Sequence, residues 1–460
     1  MKNTEKETKQ NIDNYIKEVI DVNEIPGLAL AVVKNGEVIY EGYYGKTSLE
    51  ENTPVDQNSI FRIYSTTKLI STVGVFQLIE KGKLSLEDVI SKYIDNLPKE
   101  WQEIKIKNLL SHSSGLPDVV RFQDIPNTLS DEEKIGRLSK KPMDFETGKR
   151  FRYNQTNYWL LTQIVEKITG LTFDEYILNN QFPSSGKSVF FSSNSVDTIP
   201  SRVSKYDFDS KTKKYVKPII NDGVRAHSGN GLNITLQEFI RWNERLDENL
   251  LMKKETKYSM WKPFEFKNSK DNFLHGWGLY TVNRKPSYGF SGGNVTGFRK
   301  FVENDMTIIF LSNGYKFFDV QDQVINHVAG LVDKNLSDGY SLANEEITTE
   351  FLKNDFAKAE QKYVAIRKEN PEWNFEIKLN SIGYSLMNNE REKDAIKIFE
   401  LNAKENPKSG NAFDSLAEGY LTIGQLELSK QNYKISFGLN PENGNAKEMI
   451  DKIEKLLEKK

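Results

Sequence analysis

Apolar residues between positions 12 and 23 recur at helical spacing, so the first element the chain predicts is an amphipathic helix. Pro26-Gly27 then opens an apolar run, Leu28-Ala29-Leu30-Ala31-Val32-Val33. Asn35-Gly36 ends it, and Val38-Ile39-Tyr40 forms a second run. Two such runs about Asn-Gly predict a β-hairpin, because those residues readily take the left-handed conformations of a tight turn. From about Ser65 to Gly82, Leu69, Val73, Val75, Phe76, Leu78 and Ile79 predict a helix, and Thr156 to Thr169 predicts another. Arg299–Val302 and Met306–Leu311 predict two strands across the polar turn Glu303-Asn304-Asp305. A hairpin, a helical and irregular middle, then strands again fit an α+β domain. Its antiparallel sheet is built from both ends of the region, with helices packed on it and a helical lobe inserted.

The pattern changes after about residue 335. Asp333–Asn344 is polar, with two Ser, one Gly and no apolar period, and reads as a linker. Domain boundaries follow: 1–335, a linker at 336–350, and an all-helical unit at 351–460. Within that unit Leu379, Ile382, Gly383, Ala395, Phe399 and Pro407 map, 34 residues on, to Phe413, Leu416, Ala417, Ser429, Tyr433 and Pro441. An upstream half-repeat, Ala359, Tyr363 and Pro371, keeps the same internal spacing, and Asn445–Leu457 would cap the stack. The period resembles that of the tetratricopeptide repeat (TPR). One helical hairpin cannot bury its apolar face, whereas stacked neighbours can. The resemblance implies either a groove for a protein or peptide partner or a structural appendage on the first domain.

The chain of 460 residues carries 63 Lys and Arg against 65 Asp and Glu, so its net charge of −2 gives no electrostatic ground for a nucleic-acid or anionic-membrane partner. The absence of cysteine excludes disulfides, thiol nucleophiles and thiolate metal sites. No two of His112, His227, His275 and His327 stand at HExxH spacing. No Gly-rich phosphate loop is present, and no apolar run approaches the ~18 residues of a membrane span. Met1 to Ile20 is polar and rich in Lys and Glu, without the apolar stretch of a secretion signal.

Chemistry enters with Ser65-Thr66-Thr67-Lys68, at the start of a predicted helix. Residues three apart share a helix face, with Cβ atoms about 5–6 Å apart, so the serine has a lysine amine within reach. The helix N-terminus opposes a positive charge there and burial lowers the amine's proton affinity further, which makes the lysine a usable base. One S-x-x-K tetrad is common by chance, but three more blocks accompany it. Residues 111–118 read Ser-His-Ser-Ser-Gly-Leu-Pro-Asp, residues 151–161 read Phe-Arg-Tyr-Asn-Gln-Thr-Asn-Tyr-Trp-Leu-Leu, and residues 288–298 read Tyr-Gly-Phe-Ser-Gly-Gly-Asn-Val-Thr-Gly-Phe. In this order and spacing, over roughly residues 10–335, the chain resembles the serine β-lactamase and penicillin-binding-protein superfamily. The branch it looks most like is the class C-related group that also holds carboxylesterases and D-amino-acid peptidases.

The resemblance implies roles for individual residues. Ser65 would be the acylated nucleophile, Lys68 would take its proton or hold the network, and Tyr153 would be the partner base that later activates the deacylating water. The backbone N–H groups of Ser65 and Gly293 would form the oxyanion hole, each donor contributing about 3–4 kcal/mol to the tetrahedral intermediate. Gln155, Phe290, Ser291 and Gly292 would line the substrate. Two positions depart from the pattern. The Tyr-x-Asn block is Tyr153-Asn154-Gln155, which keeps the amide on a stem one methylene longer. The Lys-Thr-Gly or His-x-Gly block is Phe290-Ser291-Gly292, and phenylalanine carries neither a proton nor a charge. That loss argues against strong β-lactamase or D-Ala-D-Ala carboxypeptidase activity and for an uncharged ester or peptide-like amide substrate. Two competing readings remain: a catalytically weak or inactive homologue that binds peptide or cell-wall fragments, and a true β-lactamase or D,D-peptidase. No cofactor is implied. The His112 loop is structural in the family, so His112 receives no catalytic role, and His227 would at most line the cleft. The family is usually exported, whereas this sequence shows no leader. Gly289-Phe290-Ser291-Gly292-Gly293 also matches G-x-S-x-G, but a nucleophile elbow needs a helix after it, and here a turn and two strands follow.

Overall fold

The computed structural model of the chain describes residues 2–268 and 273–458. Helix α1 (Lys2–Asn23) begins upstream of its apolar stripe and buries Ile12, Ile16 and Val19 on one face. The hairpin follows as β1 (Gly27–Lys34) and β2 (Glu37–Ser48), with a short β3 (Thr53–Pro54). Later in the chain come β4 (Gly278–Val282), β5 (Lys285–Gly292), β6 (Thr296–Phe301) and β7 (Met306–Ser312). These seven strands form one sheet in the order β3-β2-β1-β7-β6-β5-β4, every pair antiparallel. The pairing of β1 with β7, Leu30 opposite Phe310, joins the two ends of the region as the element order predicts.

Strand β1 reads as an unbroken apolar run because both of its faces are covered. Side chains alternate across a strand. Ala29, Ala31 and Val33 therefore join the core shared with the helical lobe, and Leu28, Leu30 and Val32 the core under α1. The lobe supplies α2 (Thr67–Glu80), buried along most of its length, and α3 (Gln155–Thr169). Helix α4 (Gln321–Val332) packs on the α1 side of the sheet. A three-stranded sheet, Ile60–Arg62, Leu232–Thr235 and Val189–Phe191, lies beside the main one, with Leu232–Thr235 in the middle. It joins the chain just before Ser65 to the chain just after Gly229.

The remainder is helical: α5 (Gly339–Lys353), α6 (Phe356–Glu369), α7 (Glu376–Met387), α8 (Glu392–Glu405), α9 (Gly410–Thr422), α10 (Leu426–Leu439) and α11 (Gly444–Leu457). The positions of the 34-residue register sit where helices meet. Leu379, Ile382, Ala395 and Phe399 are buried, as are Leu416, Ala417, Ser429 and Tyr433. Gly383 is small because the Phe399 ring lies against it. The stretch read as a linker is not one. Most of it is α5, whose Ala343, Ile347, Phe351 and Leu352 are buried. No helix among the described residues is long and apolar enough to cross a membrane.

Candidate active site

The Ser65 segment departs from a simple helix start. Tyr64–Thr66 is a 3-10 turn and α2 begins at Thr67, which leaves Lys68 in the first turn of the α-helix. Tyr64 holds φ +47°, a left-handed conformation that costs a non-glycine residue on the order of 1–2 kcal/mol. Contacts around the turn hold it there. Thr296 Oγ1 donates to Ile63 O at 2.9 Å and lies 3.1 Å from Thr66 Oγ1. The end of β5 presses against the same turn: a Cβ on Gly292 would collide with Ile63 O and stand 2.8 Å from Ser65 N. Only glycine lets strand and turn approach this closely. Gly293 follows against the Tyr64 ring.

Tyr153 and Gln155 are placed by Asn154 between them. Asn154 caps α3, its Oδ1 accepting from Thr156 N at 2.7 Å. Its Nδ2 donates to Leu116 O at 2.6 Å, and its backbone N–H donates to His112 Nδ1 at 3.2 Å. The Ser111–Asp118 loop thus pins the start of α3. Burial holds the His112 imidazole well below its usual proton affinity, and the nearby Lys68 charge adds to this. The neutral ring packs 4.6 Å from that of Tyr153, a supporting role.

The predicted residues converge. Tyr153 Oη donates to Ser65 Oγ at 2.8 Å. Lys68 Nζ donates to Gln155 Oε1 at 3.1 Å and to Gly229 O at 2.7 Å, and stands 4.8 Å from the centroids of the Tyr153 and Tyr158 rings. Gln155 therefore reaches the lysine across its extra methylene. Lys68 is fully buried, and that burial lowers its pKa from 10.5 to about 7, although the Asp118 carboxylate pulls the other way. Two acceptors take both hydrogens of a neutral amine and leave its lone pair unused. Burial pushes the Tyr153 phenol above its ordinary value, and hydrogen bonding with Ser65 and Gln155 offsets this only in part. Ser65 itself is half-buried, open enough to be reached.

Phe290 stacks on Tyr153, ring centroids 6.1 Å apart, and meets Phe273 edge-on at 6.0 Å. The wall beside the phenol is apolar. Ser291 is a correction: expected to line the substrate, it points to the other face of β5. Its Oγ donates to Asp322 Oδ1 at 2.6 Å and accepts from Arg299 Nη2 at 2.9 Å. Alternation along a strand forbids residues 290 and 291 from sharing a face. The G-x-S-x-G stretch lies in this strand, so no nucleophile elbow forms. His227 pairs with Asp174, Nδ1 to Oδ2 2.8 Å.

Three contributors escape sequence reading. Gly229 O reaches Lys68 from the short helix His227–Asn230, held on α2 by Ser71 Oγ donating to Ser228 O at 2.6 Å and followed by the strand that pairs with Ile60–Arg62. Asp118 accepts from the backbone N–H groups of Gln155 and Val120, at 3.2 and 3.4 Å, and burial pushes its carboxyl up. Asn154 carries a signal that was legible, an Asn directly before an apolar-periodic helix.

Fold and site together define the β-lactamase and transpeptidase class of serine hydrolases. The family model described as Beta-lactamase matches residues 12–330, and the chain belongs to that family. It is 25% identical over 340 residues to Penicillin-binding protein 4* of Bacillus subtilis (strain 168), covering 66% of this chain and 72% of that protein. Among solved structures, the octameric penicillin-binding protein homologue from Pyrococcus abyssi superposes with a TM-score of 0.61 at 21% identity, over 74% of this chain and 81% of that one. D-amino acid amidase from Ochrobactrum anthropi SV3 gives 0.58 at 18% identity, over 72% and 99%. At these identities the structures share the fold.

Proposed function

We propose that the protein is a serine acyl-hydrolase acting on an ester or peptide-like amide through an acyl-enzyme on Ser65. The observation that carries the reading is the combination of a Tyr153–Ser65 contact of 2.8 Å with a buried lysine whose pKa is near neutrality. For acylation the Tyr153 hydroxyl turns to accept the proton of Ser65 Oγ and gives its own to Lys68, the only one of the two with a proton affinity matched to neutral pH. Tyr153 acts as a relay, because a phenol pushed above its ordinary value does not hold a negative charge at rest. Ser65 Oγ bonds to the acyl carbon, and the N–H groups of Ser65 and Gly293 receive the oxyanion. The tetrahedral adduct expels the leaving group, which takes the proton from Lys68. Water then adds to the acyl carbon, giving a proton to Lys68; collapse of that adduct breaks the bond to Ser65 Oγ, which takes the proton back through Tyr153, and the acid leaves. The apolar wall of Phe290 and Phe273 favours an uncharged group on that side of the substrate.

The test is labelling with a fluorophosphonate, wild type against Ser65→Ala, read by intact mass. A single adduct on the wild type that is absent from the variant supports the assignment. No adduct on folded wild-type protein overturns it in favour of a binding homologue, a reading that Phe290 would then explain. Rapid turnover of the β-lactam nitrocefin would move the substrate class to β-lactams.

A further inference from the structure

Arg225 is a cation next to the site that the proposed acyl transfer does not use. It lies in a short 3-10 turn, Val224–Ala226, a few residues before Gly229. It lines a recess of about 20 Å³ whose other walls include Gln155, Tyr158, Gly229 and the carboxylate residue Asp222, which is paired with Arg62. Two of these supply the oxygens that hold Lys68. The Arg225 guanidinium is fixed from behind: Nε donates to Asn127 Oδ1, and Asn127 Nδ2 in turn donates to Asn221 O at 2.5 Å. Among the described residues, its two terminal nitrogens have no hydrogen-bond partner and no carboxylate within ion-pair distance. Asp222, Asp118 and Asp131 lie in its field, but each is engaged elsewhere. Asp222 takes Arg62 at 3.2 Å, Asp118 takes two backbone N–H groups, and Asp131 takes Lys134 and Trp159.

A half-buried guanidinium with its fork unpaired, held rigid through Nε, is built for a planar bidentate acceptor. The recess has room for about one water-sized atom, a single oxygen of a terminal head and not a whole substrate. We propose that Arg225 anchors a carboxylate carried on the acyl portion of the substrate, one oxygen of which enters the recess beside Gln155 and Gly229. The inference rests on the acyl-hydrolase reading for its chemistry, but its binding arm does not need turnover.

The experiment compares p-nitrophenyl hydrogen adipate with its methyl ester, for the wild type, Arg225→Gln and Arg225→Lys. The expected result is a wild-type preference in kcat/KM for the anionic ester that falls by about 10- to 100-fold in Arg225→Gln and is partly kept in Arg225→Lys. In parallel, calorimetry on Ser65→Ala, with and without Arg225→Gln, measures binding of adipic acid mono-anilide and its methyl ester. A preference for the anionic anilide that disappears with Arg225 supports the anchor even if neither ester is turned over, while the hydrolase reading stands or falls separately on the fluorophosphonate labelling. Equal binding of the two anilides, or an anionic preference that survives Arg225→Gln, overturns the proposal.

Discussion

The reading of Lys68 as the base makes a quantitative demand on pH. Burial lowers its pKa from 10.5 to about 7, which means that the fold disfavours the ammonium by roughly 5 kcal/mol. The rate of Ser65 acylation should therefore follow the neutral amine. It should rise about tenfold per pH unit below 7, pass its midpoint near 7 and level off above about 8, so that labelling at pH 5 runs about 100-fold below the plateau. The assay is the pseudo-first-order rate of fluorophosphonate incorporation between pH 5 and 10, by quenched intact mass. Asp118→Asn removes the carboxylate that favours the ammonium and should move the midpoint to lower pH. Stability carries the same signature with a definite sign. Between about 7 and 10.5 the unfolded chain binds a proton at Lys68 that the folded chain does not. Folding stability from this group therefore rises with pH across that window and is flat below it. The difference in denaturant midpoint between wild type and Lys68→Met should show that rise. A labelling rate still climbing tenfold per unit at pH 9 would falsify the argument, because it would mean that Lys68 keeps its ordinary proton affinity. A profile flat from pH 5 to 9 would show that the lysine is not the base.

Other residues give sharper local tests. Tyr153→Phe removes the hydroxyl on Ser65 and should slow acylation by about 10²- to 10⁴-fold while the circular dichroism and melting transition hold. Gly229→Ala puts a methyl 2.9 Å from Gln155 Oε1 and 3.4 Å from Lys68 Nζ. The displaced acceptor should cost about 10- to 100-fold in acylation, and an unchanged rate would mean that these contacts do not matter. Ser291→Ala should do the opposite, lowering stability by about 1 kcal/mol through the Arg299–Asp322 network and leaving the labelling rate alone. A slowed rate with no loss of stability would return Ser291 to the cleft.

How far the sequence reaches depends on the range of each interaction. The hairpin, the closing strands and the two long helices were legible because their signals lie within a dozen or so neighbouring residues: Asn35-Gly36 between apolar runs, or an apolar stripe at helical spacing. Ser65, Lys68, Tyr153 and Gln155 were legible through their blocks, and the structure brings all four together. Gly229 and the Arg225 fork were not, since they reach the site through a strand pairing and a turn whose partners are far apart in the chain. Asn154 and Ser291 could have been read better from local rules. An Asn before an apolar helix is a cap, and Phe290 and Ser291 cannot both face the cleft from one strand.

The misread linker has a different cause. Asp333–Asn344 is polar, and what orders it comes from the other end of the chain. Glu345 on α5 accepts from Tyr15 Oη of α1 at 3.1 Å and pairs with His327 Nδ1 of α4 at 2.6 Å, while the Tyr15 and His327 rings stack at 3.6 Å. Val22 of α1 belongs to the same core as Ile347 and Phe351 of α5 and Leu379 of α7. Ser385 of α7 donates to Phe317 O, in the loop that leaves β7. A flexible tether would leave these groups facing water, and Glu345, buried with two partners, would be the first to lose by it. Helix α5 is thus a joint with buried contacts on both sides. Helix α4 carries the joint at His327, and through Asp322 it also holds Ser291, the neighbour of Gly292 at the Ser65 turn. The C-terminal helices are built onto the same layer that supports the back of β5.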